Sequence, residues 1–383
     1  MKICLLLALT SLTAPLVGAV TISKDTELPS SGSYSDSYNI NEDATLAIAD
    51  GTTVTGGTSA SLSSNLDVDG NLCIGAESVT VTSSTITNNG NLVIYNGDSM
   101  TDGGTNFAVQ SLTNNGYLAI QNGLLSVGGT TTAEKFSFSN SFLNTGIMKF
   151  TSYLVDTSLS AGSGLVNEGT IMFDGGNVTF NSPMTGGGCL AFSGISLFWV
   201  DLSSQTLDQT LYITPSAQQV IIFVGGTKMI TVRGLTMGNA IYFLDPGQAS
   251  VSLSYNTTTG IATVNSTYST GTSVIRKADI GLGFDESLFS VQSQLSTPGG
   301  WATQLFYTGT SPTDAPSNCD ITTGLAFDTC INDLKFPSSS SIMPSSSSSS
   351  VVPPHPQHHH VYPHRFYILL LLRKQPKAIV IVL

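Results

Sequence analysis

The sequence predicts an all-β protein: a parallel β-helix, then a small antiparallel β domain, then a disordered Ser-rich C-terminal tail. A short phrase built around glycine returns six times between residues 70 and 188, at the spacing of a stacked fold. The strands that follow it look longer and closely paired, and residues 337–350 are dominated by serine. Charged residues make up only 10% of the 383 residues. That fraction is a poor fit to a charged helical bundle, a coiled coil or a DNA-binding protein.

The chain begins with the features of a secretory signal peptide over residues 1–19. Lys2 is followed by a short apolar run, Ile3 to Leu12, and small residues precede an expected cleavage between Ala19 and Val20. A buried N-terminal strand is the alternative, and the run is too short to span a bilayer. Export implies an oxidising compartment and glycosylation. Three sequons provide candidate sites, at Asn177, Asn256 and Asn265.

The returning phrase is a polar residue and a glycine followed by a short strand whose apolar residues stand two apart. Its best copies are Asn89-Gly-Asn-Leu-Val-Ile94 and Asn115-Gly-Tyr-Leu-Ala-Ile120, and its glycines are 70, 90, 116, 146, 169 and 188. A polar residue before a glycine suits a turn with positive φ. One turn and one strand every 20 to 30 residues is typical of a solenoid. We therefore expect a parallel β-helix over residues 20–200. The alternative is an antiparallel sandwich whose hairpins begin with Asn-Gly.

The pattern changes after Trp199, where strands look closely paired and a hairpin turn is expected at Asn256 to Gly260. We predict an antiparallel β domain over residues 201–336, packed on the last coil of the solenoid.

Residues 337–354 have the Ser/Pro-rich composition of a stalk. Residues 355–383 form an atypical tail that combines histidines with two short apolar runs split by cations. Because those runs are too short for a lipid-anchor signal, we expect a shifted or truncated stalk whose product is released.

Charge and histidine content exclude several functions. Residues 20–336 hold 8 bases against 25 acids, a net charge of −17 that repels nucleic acid and anionic membranes. All five histidines lie in the tail, at 355, 358, 359, 360 and 364. Histidine-dependent catalysis and His-ligated zinc are therefore excluded from the body.

Asp67 and Asp69, two apart on a strand, are the best carboxylate pair for polysaccharide chemistry, but a solvated pair before a turn is the favoured interpretation. We expect no catalytic residue, cofactor or metal.

Together, the secretion signal, the repeated Asn-Gly-x-Leu-x-Ile phrases, the degenerate copy Gly186-Gly-Gly-Cys-Leu190, the strand-rich second half and the serine stalk resemble one known family. It is the N-terminal domain of hyphally regulated cell wall proteins, the head of a group of yeast cell-wall adhesins. The resemblance covers roughly residues 20–335. It implies a β-helix followed by a small β-sandwich-like domain, displayed at the wall on a glycosylated stalk, with no catalytic residues to assign.

These observations favour a non-enzymatic adhesin, secreted or held at the cell wall or surface. Its expected partner is a wall polysaccharide or a host or abiotic surface, with no nucleic acid and no membrane span. Two alternatives stay open: a secreted β-helix enzyme that cleaves polysaccharide, as lyase or hydrolase, and a structural wall glycoprotein without a specific ligand.

The four cysteines of the mature chain, Cys73, Cys189, Cys319 and Cys330, allow three full pairings. Cys73 and Cys189 are five coils apart. At roughly 4.8 Å per coil this is about 24 Å, beyond the limit of roughly 7 Å for bridged Cα atoms. If all four are oxidised, each must bond to Cys319 or Cys330, and the last segment would run back along the solenoid, stapled twice. The alternative is a local Cys319–Cys330 bridge with two buried free thiols, which export disfavours.

Overall fold

The structure, a computed structural model, describes residues 19–49, 58–96, 105–121, 134–151, 156–296, 300–322, 324 and 326–332. All of them belong to one compact unit. The predicted signal peptide up to residue 18, the Ser/Pro-rich segment 337–354 and the tail 355–383 lie outside the described residues. The first strand begins at Val20, directly after the expected cleavage site.

The described chain is almost entirely β-structure. In chain order its strands are β1 Val20–Ile22, β2 Thr26–Leu28, β3 Gly32–Tyr34, β4 Tyr38–Ile40, β5 Thr45–Ile48, β6 Ser59–Leu62, β7 Leu66–Val68, β8 Asn71–Gly75, β9 Ser78–Val81, β10 Thr85–Asn88, β11 Asn91–Tyr95, β12 Thr105–Asn114, β13 Tyr117–Gln121, β14 Glu134–Asn144, β15 Ile147–Thr151, β16 Asp156–Ala161, β17 Leu165–Asn167, β18 Thr170–Phe180, β19 Met184–Thr185, β20 Cys189–Asp201, β21 Thr210–Gly225, β22 Ile230–Arg233, β23 Ala240–Asp245, β24 Ala249–Asn256, β25 Ile261–Tyr268, β26 Ser273–Asp279, β27 Phe289–Ser296 and β28 Gly300–Tyr307. A 3₁₀ turn covers Glu286–Leu288, and a short helix, α1, covers Phe327–Asn332.

Three parallel ladders of strands run along the molecule. Ladder A contains the strands of the repeated phrase: β2, β5, β8, β11, β13, β15, β18, β20, β21 and β22. Ladder B runs from β1 through β4, β7 and β10 to β19. Ladder C runs from β3 through β6 and β9 to β23. The predicted parallel β-helix is therefore confirmed, and the antiparallel alternative for the repeats is wrong.

The core of the solenoid lies between the three ladders. The apolar residues of each phrase point into it, as Leu92 and Ile94 do, and later coils place phenylalanine at the second position. The rings of Phe150, Phe173 and Phe192 stack from coil to coil with centroids 5.4 and 5.7 Å apart. Because neighbouring coils present the same position to each other, one phrase repeated in sequence becomes one continuous column of packed side chains.

Antiparallel pairing is confined to the end of the described chain. Strands β24, β25 and β26 form one antiparallel set, and in another β28 pairs with β23 on one side and with β27 on the other. The expectation that the strands after Trp199 pair antiparallel is wrong for β21 and β22, which extend the ladders in parallel. Strand β23 pairs parallel with β21 on one side and antiparallel with β28 on the other.

The glycines of the phrase serve close packing, not positive φ. None of the six is among the positive-φ glycines, so that expectation is wrong. A Cβ built on Gly116 would lie 2.1 Å from the carbonyl oxygen of Gly90, and one on Gly90 would lie 2.0 Å from that of Gly70. Each coil therefore rests on the backbone of the one before it at a distance that only glycine permits.

Two residues before the glycine, a column of buried amides runs through four coils. The Nδ2 of Asn88 donates to Oδ1 of Asn114 at 2.6 Å, Asn114 donates likewise to Asn144 at 2.6 Å, and Asn144 to Asn167 at 2.7 Å. Gln209 closes the column by accepting from Asn167 at 2.7 Å. From the sequence only the exposed residue next to the glycine was considered, so this buried column was not predicted.

A buried ion pair holds the antiparallel strands together. Arg276 on β26 lies 2.8 Å from Asp245 at the end of β23, and the two side chains are 5% and 0% exposed. Tyr268 and Thr303 each donate to the Asp245 carboxylate at 2.6 Å. The network thus joins β23, β25, β26 and β28, and burial within it raises the pKa of Tyr268.

The last described segment, which we call the strap (residues 310–322, 324 and 326–332), runs back along the outer face of ladder A. Two disulfides attach it, Cys189–Cys319 and Cys73–Cys330, with Cα atoms 5.1 and 6.3 Å apart. This is the pairing across the solenoid that the spacing of the cysteines favoured, and no local Cys319–Cys330 bridge forms. Beneath the strap lie apolar residues that face away from the core, namely Ala47, Ala49, Val93, Tyr117, Ala119, Met172, Ala191 and Tyr212.

Candidate functional site

A cleft of about 430 Å³ lies where the last coil of ladder A, the hairpin of β24 and β25 and the start of the strap meet. Its lining is Arg233, Thr259, Asp279, Gly281, Leu282, Thr313, Asp314 and Pro316. This volume is within the range of small-molecule sites. The cleft is the candidate functional site because it brings a cation, two carboxylates and two hydroxyl side chains together at the surface.

The guanidinium of Arg233 is fixed in one orientation. Its Nη2 donates to Oδ2 of Asp279 at 3.0 Å, and its Nη1 donates to the backbone carbonyl oxygens of Asp279 and Val232 at 2.7 and 3.0 Å. The other oxygen of Asp279 accepts from the N–H of Gly281 at 3.2 Å. Both charged side chains remain about a quarter exposed, at 23% and 26%. They therefore form a rigid polar wall that is still accessible to a ligand.

The opposite wall comes from the strap. The Thr313 hydroxyl accepts from the N–H of Gly234 at 3.2 Å, which holds the strap against the end of β22. Asp314 is exposed, and none of the hydrogen bonds or ion pairs found among the described residues uses its carboxylate. Burial raises the pKa of nearby Tyr212, and the negative charge of Asp314 adds to that increase. The Asp314 carboxylate is available to the cleft.

The sequence analysis did not single out any residue of this cleft. Arg233, Asp279 and Asp314 are far apart in the chain and stand in no motif. The one usable sign was the scarcity of bases, since residues 20–336 contain only eight of them.

Asp67 and Asp69, the carboxylates considered for catalysis, are both exposed and take separate places. Asp67 lies within β7, beside Asn39 and Thr87 of the neighbouring coils. Asp69 lies in the turn and accepts from Nδ2 of Asn89 at 2.8 Å. Asn89 accepts in turn from Asn115, so this carboxylate begins an exposed column of turn side chains. These positions support the interpretation as a solvated pair before a turn.

Three aromatic residues that could stack on sugars, Tyr95, Tyr117 and Trp199, are mostly covered. Tyr117 is 7% exposed under the strap, and Tyr95 packs against the same apolar cluster. Trp199 lies flat on Phe223, with ring centroids 3.7 Å apart and planes at 3°. One face of each of these two rings is therefore occupied by the other.

The three sequons differ in exposure. Asn256 is exposed at the tip of the β24–β25 hairpin, where its Oδ1 accepts from the N–H groups of Thr258 and Thr259 at 2.9 and 3.0 Å. Asn177 and Asn265 lie half-buried within strands, and Oδ1 of Asn265 is buried without a hydrogen-bond partner among the described residues. Glycosylation of all three stays a prediction, for which Asn256 has the most accessible side chain.

Metal ligation and membrane crossing are two further possibilities for the part of the chain that the structure describes. No group of three or more His, Cys, Asp or Glu side chains converges there as metal ligands would. Nor does any helix in that part have the length and apolar character that a bilayer crossing requires.

Comparison with known families decides the relationship. The model of the hyphally regulated cell wall protein N-terminal domain matches residues 10–326. The chain belongs to this family. The resemblance seen in the repeated phrases is thereby confirmed. Membership in this family assigns the chain to the cell wall. No curated protein matches the chain.

Proposed function

We propose that this hyphally regulated cell wall protein is a non-enzymatic adhesin head that binds wall polysaccharide or a foreign surface. The match of residues 10–326 to a cell-wall family carries the proposal. The rigid solenoid supports it, because stacked coils closed by two long-range disulfides give a stable scaffold for displaying a binding surface.

The arrangement of the carboxylates supports a function without catalysis. A glycosidase needs two carboxyl groups that face one sugar bond from fixed positions. Asp69 is engaged by Asn89 in a turn, and Asp67 stands on an open strand surface. In the cleft, Asp279 is paired with Arg233. Each of these three carboxylates has a structural or solvated role that does not require a substrate.

Attachment and turnover are measured on the same secreted full-length protein. We expect retention on fungal wall particles or attachment to cells, with no release of reducing ends or unsaturated products from a panel of wall and plant polysaccharides. Turnover that disappears in Asp67→Asn or Asp69→Asn would establish the enzyme alternative instead. Absence of retention on every wall, cell or abiotic surface would favour a structural glycoprotein.

A further inference from the structure

In the cleft, polar side chains from three separate segments of the described chain lie together and remain accessible to a ligand. Arg233 comes from ladder A, Thr259 from a hairpin, and Thr313 and Asp314 from the strap. Arg233 is held by three hydrogen bonds and Thr313 by the N–H of Gly234. Side chains fixed before binding lose little entropy when a ligand arrives.

The charge of the cleft narrows the class of ligand. Asp279 neutralises Arg233, and Asp314 adds one unpaired negative charge at the same opening. An anionic ligand such as a uronate, sulfate or phosphate would be repelled by that excess charge. A compact cation would be repelled by the fixed positive charge of the Arg233 guanidinium. An uncharged ligand avoids both costs.

The available groups match a polyhydroxylated ligand. Carboxylate oxygens accept from hydroxyls, the remaining guanidinium N–H groups donate, and threonine hydroxyls do either. Leu282, 54% exposed, and Pro316 add apolar surface beside these groups. A sugar ring presents both kinds of surface, hydroxyls at its edge and C–H groups on its faces.

We propose that this cleft binds the end of an uncharged glycan, with the proposed adhesin function as its premise. Asp314 and Thr259 contact the sugar hydroxyls directly. Asp279 positions Arg233, which donates to the ligand from the opposite wall. The inference names both the site and the ligand class of the head.

The course of the strap presents this cleft at the far end of the solenoid. The described chain ends in α1, which packs on β5, β8 and β11 near the beginning of ladder A. Arg233 on β22 lies seven strand pairings beyond β8, roughly 34 Å at about 4.8 Å per pairing. The last described helix thus lies at the end opposite the cleft.

Binding of short uncharged oligosaccharides of glucose, mannose or N-acetylglucosamine tests the proposal by calorimetric titration of the full-length protein. Asp314→Asn and Thr259→Val each remove one predicted contact, and neither alters a sequon. Asp36→Asn is the matched control, because it makes the same charge change at an exposed position of the first coils. We expect each cleft variant to weaken binding of at least one oligosaccharide about tenfold, as loss of a charge-assisted or well-placed hydrogen bond does.

The outcomes separate this site from the proposed function. Wild-type affinity in both cleft variants would overturn the proposed site. Tighter binding of anionic sulfated sugars, or of cationic sugars with a free amino group, than of neutral sugars would also overturn it. The site would also be overturned if the protein attached to wall particles without measurable affinity for any neutral oligosaccharide, although the adhesin function would stand. Failure of the wild-type protein to attach to any surface would remove the adhesin function itself. A loss in the cleft variants with Asp36→Asn unchanged supports the site.

Discussion

Cys73 and Cys330 are 257 residues apart in the chain, and their Cα atoms lie 6.3 Å apart. Cys330 reaches the early coils because the strap runs back over the outer face of ladder A from Cys319. Between the two disulfides, Gly324 lies against the ring of Tyr117, where a Cβ would come within 2.4 Å of the ring. The stretch of the strap between the two disulfides is thus fixed at both ends and closely packed in the middle.

Removing one disulfide should free one end of the strap. We expect the paired variant Cys73→Ser/Cys330→Ser to lose about 2–4 kcal/mol of stability, because the crosslink restricts the unfolded chain. Limited proteolysis followed by mass spectrometry should detect new cleavage near α1, with Cys189–Cys319 intact. A non-reduced peptide joining Cys319 directly to Cys330 in the wild-type protein would contradict the pairing.

The spacing of the repeats allowed the solenoid and the stapled segment to be predicted, since a distance along the axis follows from counting coils. The apolar residues that the strap covers on the outer face of the solenoid were not predictable. Val93, Ala119 and Tyr117 stand at outward positions, where local alternation calls for polar residues. They are buried only because a segment some 200 residues later covers them. The cleft was missed for the same reason, because its walls meet only in the folded chain.

The end of the parallel region was also misplaced. The predicted end of the solenoid relied on the glycine phrase, and the phrase stops at Gly188. Ladder A continues through β21 and β22 because apolar alternation, as in Leu211 and Ile213, is sufficient to fill the next coils. The glycine phrase specifies a tight turn, and the core pattern alone specifies a coil.

The buried amide column should contribute strongly to stability. Asn144→Leu removes the donor to Asn167 and the acceptor of Asn114, and leaves polar atoms buried without these partners. We expect a loss of about 2–4 kcal/mol by thermal or urea unfolding. Asn115→Ala is the control, since its bond to Asn89 is exposed, and we expect a change within about 0.5 kcal/mol. Equal effects would show that the column contributes no more than a surface contact.

The repeat glycines should not tolerate a methyl group. In Gly116→Ala the new Cβ would lie 2.1 Å from the carbonyl oxygen of Gly90, so the two coils must separate. We expect a cost of about 1–3 kcal/mol, the usual range for overpacking. Gly247→Ala, which has no atom within 4 Å of the new Cβ, should unfold at nearly the wild-type temperature. A fully tolerated alanine at residue 116 would disprove the close-packing explanation.

The antiparallel strands should depend on their buried cation. Arg276→Met leaves the Asp245 carboxylate buried without its partner, which typically costs about 3–5 kcal/mol. Lys277→Met changes the next residue of β26 in the same way at an exposed position, and we expect little effect. Hydrogen exchange of β25 and β26 localises the loss. Unchanged protection in Arg276→Met would mean that the network does not hold these strands together.

Alkaline pH should loosen the strap. Burial raises the pKa of Tyr117 above its ordinary value of 10.0, an effect that a hydrogen bond from Gly324 partly offsets. The folded state therefore holds the phenol proton more tightly than the unfolded state. This contribution to stability is fully present below about pH 10 and is lost as the pH rises through the folded pKa. We expect cleavage of the strap by protease to increase above pH 10.

Tyr117→Phe separates this effect from general alkaline unfolding. Phenylalanine keeps the ring under Gly324 but has no proton to release, so strap cleavage should become less dependent on pH in that range. Tyr242 is the matched control, because burial raises its pKa too while it lies on ladder C, away from the strap. Tyr242→Phe should leave the pH dependence of strap cleavage unchanged. If both variants alter it equally, the strap responds to overall stability; if neither does, ionisation of Tyr117 does not release it.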